Sequence, residues 1–122
     1  MTSKFVVLFA LIIFALGIMY GCGKQSEQEL FEMAEHAQEE GKPMDAIKAY
    51  RKLTELYPES EHAPKAQFMI GFVYAEQFAD TAKALEAYEE FAAEFPEHEL
   101  AASADFMIKS LRGEVPEPVL TE

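Results

Sequence analysis

Residues 58–70 (PESEHAPKAQFMI) and residues 96–108 (PEHELAASADFMI) are two copies of one sequence pattern, and this repetition decides the fold. The two stretches align without a gap at an offset of 38 residues. The same offset pairs Tyr50 with Tyr88. Self-similarity at a fixed period of about 20–50 residues is typical of proteins built from stacked structural repeats. The sequence therefore predicts a repeat architecture.

Each repeat is predicted to be helical. Apolar residues recur at the i, i+3, i+4, i+7 spacing that places side chains on one face of a helix, and the first such set is Leu30, Met33, Ala34 and Ala37. No strand pattern and no Asn-Gly or Asp-Gly hairpin turn appears in the sequence. Proline and glycine interrupt the helical pattern at intervals. The sequence thus predicts an all-α domain of five helices, at about 26–40, 44–57, 62–77, 81–95 and 100–112.

The phased small, aromatic and proline residues resemble the tetratricopeptide repeat, a helical hairpin of about 34 residues. The first unit supplies Leu30, Met33, Ala34, Ala37, Gly41, Ala46, Tyr50 and Pro58. The second unit supplies Ile70, Gly71, Tyr74, Ala84, Tyr88 and Pro96. The resemblance covers residues 27–112 and implies about two and a half tetratricopeptide units. In such a unit, Ala34 or Gly71 allows the two helices of the pair to approach closely.

The N-terminus has a different composition from the repeats. Lys4 gives it a positive start, and residues 5–20 contain no charged side chain. The run ends in Gly21-Cys22, which resembles the bacterial lipoprotein signal that directs lipid attachment to cysteine. Cys22 is the only cysteine of the chain, so an intramolecular disulfide and a cysteine-based metal site are excluded.

This resemblance implies a lipoprotein signal peptide at 1–21 and a lipid-anchored tether at 22–26. The tether would precede the repeats, and residues 113–122 are predicted to form an extended tail. Tyr20 stands where the lipoprotein signal usually has a small residue, which leaves an uncleaved signal anchor as the alternative. Both alternatives place the acidic domain outside the cytoplasm, because each begins with an export signal.

The charge of the chain excludes two classes of partner. Its formal net charge is −12, and all 22 acidic residues follow Cys22. Such a surface repels nucleic acid phosphates and anionic lipid headgroups. The sequence therefore predicts no nucleic acid partner, and the lipoprotein interpretation predicts membrane attachment through the lipid on Cys22.

No residue pattern in the sequence predicts catalysis. The three histidines are His36, His62 and His98. Only His36 lies among glutamates at helical spacing, where a solvated acidic face is the more common arrangement than a metal site. A glycine-rich phosphate loop, a serine nucleophile elbow and a Cys-His pair are all missing from the sequence. The prediction is a protein that is not an enzyme and has no cofactor and no small-molecule substrate.

The lipoprotein signal and the repeats together resemble one family, the BamD-like outer-membrane assembly lipoproteins of the β-barrel insertion machinery, here in short form. They also resemble the tetratricopeptide domain of the Tol-Pal coordinator. The resemblance implies a lipid-anchored protein of the outer membrane that faces the periplasm and binds other envelope proteins or peptides. The alternative is a Tol-Pal-coordinator-like or other periplasmic peptide-binding module on an uncleaved signal anchor.

The resemblance also implies a binding surface, because the first helix of each tetratricopeptide pair lines a concave groove. The groove residues carried over to this chain are Gln28, Phe31, Glu35, Gln38, Lys65, Phe68, Phe72, Glu76, Ser103 and Phe106. Phe31, Phe68 and Phe106 hold the same place in successive units. They predict an aromatic ladder beside carboxylates, which suits a peptide with apolar and basic side chains. The alternative is that these phenylalanines pack between neighbouring helices.

Overall fold

The computed structural model describes residues 23–114, and this part of the chain contains five α-helices. Their bounds are α1 Glu27–Glu39, α2 Pro43–Leu56, α3 Ala63–Glu76, α4 Thr81–Glu94 and α5 Ala101–Leu111. The all-α prediction is confirmed, and each helix begins and ends within about one residue of its predicted bounds. None of the five is long and apolar enough to span a membrane. The predicted signal peptide, Cys22 and the tail from residue 115 onward lie outside the described residues.

Local side chains fix where the helices begin. At α1, the Ser26 hydroxyl accepts a hydrogen bond from the Glu29 backbone N–H at 3.2 Å, and the Glu29 carboxylate accepts one from the Ser26 N–H at 2.8 Å. This reciprocal pair satisfies two N–H groups that have no partner inside the helix. Asp80 caps α4 with a single bond, in which its carboxylate accepts from the Lys83 N–H at 3.0 Å. Pro43 is the first residue of α2, where its missing N–H costs nothing.

Each helix packs mainly against the next helix along the chain. The core between them combines small residues with large aromatic ones, among which Tyr50, Tyr88 and Phe91 are fully buried. Gly71 shows how closely a pair approaches: a Cβ atom added there would lie 2.9 Å from three ring atoms of Tyr88. The close approach predicted for the small residue of the second unit is therefore present in the α3–α4 pair.

The core tyrosines of the two repeats differ in the hydrogen bonding of their hydroxyl groups. The Tyr50 hydroxyl donates a hydrogen bond to Gln38 Oε1 at 2.6 Å. Ala75 takes the corresponding place in α3, and the buried Tyr88 hydroxyl has no hydrogen-bond partner among residues 23–114. Burial, reinforced by the Glu76 carboxylate, raises the pKa of Tyr88 to about 12. The second unit thus keeps the tyrosine ring for packing and leaves its hydroxyl unsatisfied.

We expect opposite results from removing the two hydroxyl groups. Tyr50→Phe loses a hydrogen bond and should lower the free energy of unfolding by about 1 kcal/mol. Tyr88→Phe removes an unsatisfied buried hydroxyl and should leave the free energy of unfolding unchanged or raise it by about 1 kcal/mol. Urea unfolding of both variants measures the difference. An equal loss in the two variants would contradict the assignment of a partner to Tyr50 alone.

Candidate partner-binding groove

Helix α3 carries three exposed residues of the predicted groove. Lys65, Phe72 and Glu76 follow one another at helical spacing and are all exposed, with 37% of the Phe72 surface accessible. An aromatic ring lies here between a cation and a carboxylate on one helix face. This arrangement can bury an apolar side chain of a partner while pairing charges on either side of it.

Phe31 packs in the core of the first repeat. Only 7% of its surface is exposed. Its ring makes an edge contact with Tyr50 at 5.7 Å between centroids and stacks on His62 at 5.1 Å. These contacts join α1 to α2 and to the turn before α3, so Phe31 holds the packing position described by the alternative prediction.

Phe68 has a similar environment one repeat later. Its ring meets Tyr88 at 5.1 Å and Phe91 at 5.8 Å between centroids, in edge-to-face geometry, and the side chain is partly buried. Phe106 takes the corresponding place in α5 and is 56% exposed. The aromatic surface open to a partner on the first helices therefore consists of Phe72 and Phe106.

An ion pair connects the first two groove helices. Lys65 Nζ lies 3.5 Å from Glu35 Oε1 and 4.7 Å from the centroid of the Phe31 ring. Both charged side chains are about half exposed. Pairs of this kind contribute little to stability in water, so a partner can exchange its own charges for either member at small cost.

The remaining predicted groove residues differ in how far they are free to bind. Gln38 accepts the hydrogen bond from Tyr50 and is therefore used in packing. Gln28 donates to Glu32 along the surface of α1 at 2.8 Å. Ser103 is exposed on α5. Of this group, Gln28 and Ser103 can contribute polar contacts without disturbing the core.

A polar depression of ≈ 480 Å³ lies on the side of the second helices, α2 and α4. Gln67 is buried beside it and donates to the Ala87 carbonyl at 3.1 Å and to Glu90 at 3.0 Å. A buried amide is stable only when its hydrogen bonds are made, and these two tie α3 to α4. Gln67 was not among the predicted site residues, although a polar residue three positions before Ile70 on an apolar helix face was a usable signal.

The histidine that lies among glutamates does not assemble a metal site. His36 Nδ1 is 3.4 Å from Glu40 on the exposed surface of α1. Across residues 23–114, no three His, Cys, Asp or Glu side chains are grouped so that they could hold a metal ion. The pair is a surface contact between residues four apart on a helix.

Comparison with known proteins gives one family. The model of the YfiO family, described as an outer membrane lipoprotein, matches residues 23–112 and so spans all five helices. The match confirms the family resemblance that the sequence predicted. A search of curated protein sequences found no match.

Proposed function

Because the chain belongs to the YfiO family of outer membrane lipoproteins, we propose that it is a non-enzymatic adaptor in outer-membrane protein assembly. In this proposal the signal peptide at 1–21 is removed, and lipid on Cys22 holds the protein at the outer membrane. Residues 22–26 form the tether, and the repeats face the periplasm. Two or more acyl chains on one cysteine give the stable anchoring that a single chain does not.

The exposed stripe of Lys65, Phe72 and Glu76 on α3 is the observation that carries the binding role. Phe72 offers apolar area at the centre, and aromatic residues, including phenylalanine, are enriched at the core of protein interfaces. Glu76 and Glu35 favour basic side chains on the partner. A net charge of −12 also attracts a basic partner over distance. The proposed ligand is an extended peptide or a helix of an envelope protein that combines apolar and basic residues.

Phe72→Ser is expected to weaken partner binding at least about tenfold, because truncating a hot-spot side chain at the centre of an interface costs about 2 kcal/mol or more. The measurement is the amount of envelope protein that is crosslinked to the full-length chain in living cells and identified by mass spectrometry. Phe78→Ser is the matched control, since Phe78 is 41% exposed but lies in the turn between α3 and α4. Equal crosslinking in the two variants would contradict the groove.

Cys22→Ser is expected to abolish palmitate incorporation and to release the protein from the membrane fraction. The alternative, a periplasmic peptide-binding module like that of the Tol-Pal coordinator on an uncleaved anchor, predicts retention in the membrane after the same substitution. Tyr20, which stands where a small residue is usual, is the observation that favours this alternative. Tyr20→Ala is therefore the informative companion, and faster removal of the signal peptide in this variant supports the lipoprotein assignment.

A further inference from the structure

The outer face of α1 and α2, which α3 does not cover, carries a groove of ≈ 960 Å³. We name it the edge groove. Its floor is apolar and consists of Leu30, Met33, Ala37 and Ala49. Leu30, Ala37 and Ala49 are buried, so Met33, with 48% of its surface exposed, supplies most of the accessible apolar area. Interaction sites are found where apolar area is rimmed by polar residues.

The second repeat shows what kind of element covers such a face. Ile70 takes the place of Met33 and is only 3% exposed, because α2 packs against α3 at this point. Tyr74 takes the place of Ala37, is buried, and its hydroxyl lies 3.4 Å from the Arg51 guanidinium of α2. Repeats of this kind bury their faces against neighbours. Within residues 23–114, the edge groove is the corresponding helix-packing face with no helix on it.

The two rims of the edge groove carry opposite charges. Glu29, Glu32 and, just after its end, Glu40 make the α1 side acidic. The α2 side has a net positive charge, because it carries Lys42, Lys48 and Lys52 against one carboxylate, Asp45. Asp45 lies 3.8 Å from Lys48, and Lys42 lies 3.1 Å from Glu40 at the end where the two sides meet. Lys52 Nζ also donates to Gln25 at 2.6 Å, which marks the end of the groove nearest to the start of α1. This face has an acidic side, an apolar floor and a basic side. A complementary partner carries basic groups opposite the acidic side and acidic groups opposite the basic side.

We propose that this occupant is the edge groove of a second copy of the chain. A two-fold axis that lies in the interface and runs parallel to the helices places α1 of each copy over α2 of the other. Each acidic rim then faces a basic rim, and the two apolar floors close on each other as a layer of four helices. A two-fold axis that lies in the interface but runs perpendicular to the helices would instead place α1 of one copy over α1 of the other. Acidic side chains would then face acidic side chains. The charge pattern therefore selects the first arrangement, which is the self-complementary interface of a two-fold dimer.

The selected arrangement also agrees with the direction of the chain. Rotation about an axis parallel to the helices leaves both copies of α1 pointing the same way, so both segments before Glu27 leave the dimer at one end. Two copies anchored in one membrane require this geometry, although the pairing does not depend on the anchor. The uncharged residues 5–20 of the same chain match neither rim and are a poor occupant.

Charge exchange tests the pairing in the full-length chain. Cells co-express two copies with different C-terminal tags, and capture of one tag from detergent-solubilised membranes measures the other. Lys48→Glu/Lys52→Glu makes both rims acidic, and Glu32→Lys/Glu40→Lys makes both rims basic. We expect each double variant to lose at least about tenfold of the co-captured copy when paired with itself. We expect co-capture to recover when one acidic variant is paired with one basic variant.

Three outcomes would overturn the proposal. They are the absence of co-capture between unsubstituted copies, undiminished co-capture of like-charged variants, and failure of the opposite pair to recover. Circular dichroism melting of each variant confirms that it is folded, since the changed residues are exposed. Phe72→Ser is expected to leave co-capture unchanged, because Phe72 lies on α3 and not in the edge groove. The dimer and the proposed adaptor role can therefore fail independently.

Discussion

Phe91→Ala is expected to lower the free energy of unfolding by about 3–5 kcal/mol, the usual cost of truncating a fully buried phenylalanine. The Phe91 ring contacts both the core of the second repeat and the turn that follows α4. Its centroid lies 5.8 Å from that of Phe68, 5.5 Å from that of Phe95 and 5.9 Å from that of His98. Truncation leaves a cavity between α3 and α4 that these rings cannot fill.

The loss should be visible as a fall in melting temperature of about 12 °C or more, because 1 kcal/mol corresponds to about 4–8 °C in a domain of this size. Circular dichroism melting measures it. Phe91→Leu is the control, since Leu53 is the buried residue at the corresponding place in the first repeat. The leucine variant should lose less than about 1.5 kcal/mol. A loss below about 1 kcal/mol for the alanine variant would contradict the central position of this ring.

Gly71→Ala is expected to lower the free energy of unfolding by about 1–3 kcal/mol through overpacking. Helix propensity alone favours alanine by about 1 kcal/mol in the middle of a helix. The added methyl group, however, would lie 2.9 Å from the Tyr88 ring. That ring is fully buried and held by its edge contact with Phe68, so it has no free space to move into. The steric cost therefore outweighs the propensity gain.

A double-mutant cycle with Tyr88→Leu isolates this contact. With the ring removed, Gly71→Ala should become neutral or stabilising, and the two changes should show a favourable coupling energy of about 1 kcal/mol or more. Ala34→Gly is the matched control in the first repeat. Its loss should be about 1 kcal/mol from helix propensity, with a further loss from the buried methyl contact. A gain in stability for the single Gly71→Ala variant would disprove the close approach of α3 and α4.

The helices could be predicted from the sequence because local residues determine their ends. Ser26 and Asp80 cap two helices with their own side chains, and Pro43 fixes the start of a third. Burial was less predictable, because it depends on neighbours that are distant in sequence. Met33 was predicted on the same buried face as Leu30, yet it is half exposed because no helix among residues 23–114 covers that side of α1.

The candidate site was only partly predictable for a related reason. The sequence places Phe31, Phe68, Phe72 and Phe106 on the first helices of successive repeats, but it does not show which of these rings has a second helix to pack on. Phe31 is buried because its ring meets Tyr50 of α2, whereas Phe106 is 56% exposed because no helix follows α5 among residues 23–114. The charged rims of the edge groove could not be predicted either, because they depend on which faces of α1 and α2 lie side by side.

The packing of each helix mainly against its successor has a consequence for how the domain acquires its structure. Most native contacts join segments that are close in sequence, and helical proteins with such low contact order fold in microseconds to milliseconds. Among the five described helices, the main packing partners of each helix are the helices directly before and after it in the chain. A chain delivered from its N-terminus can therefore pair α1 with α2 while α5 is still unfolded, and its order of appearance is also a workable order of folding.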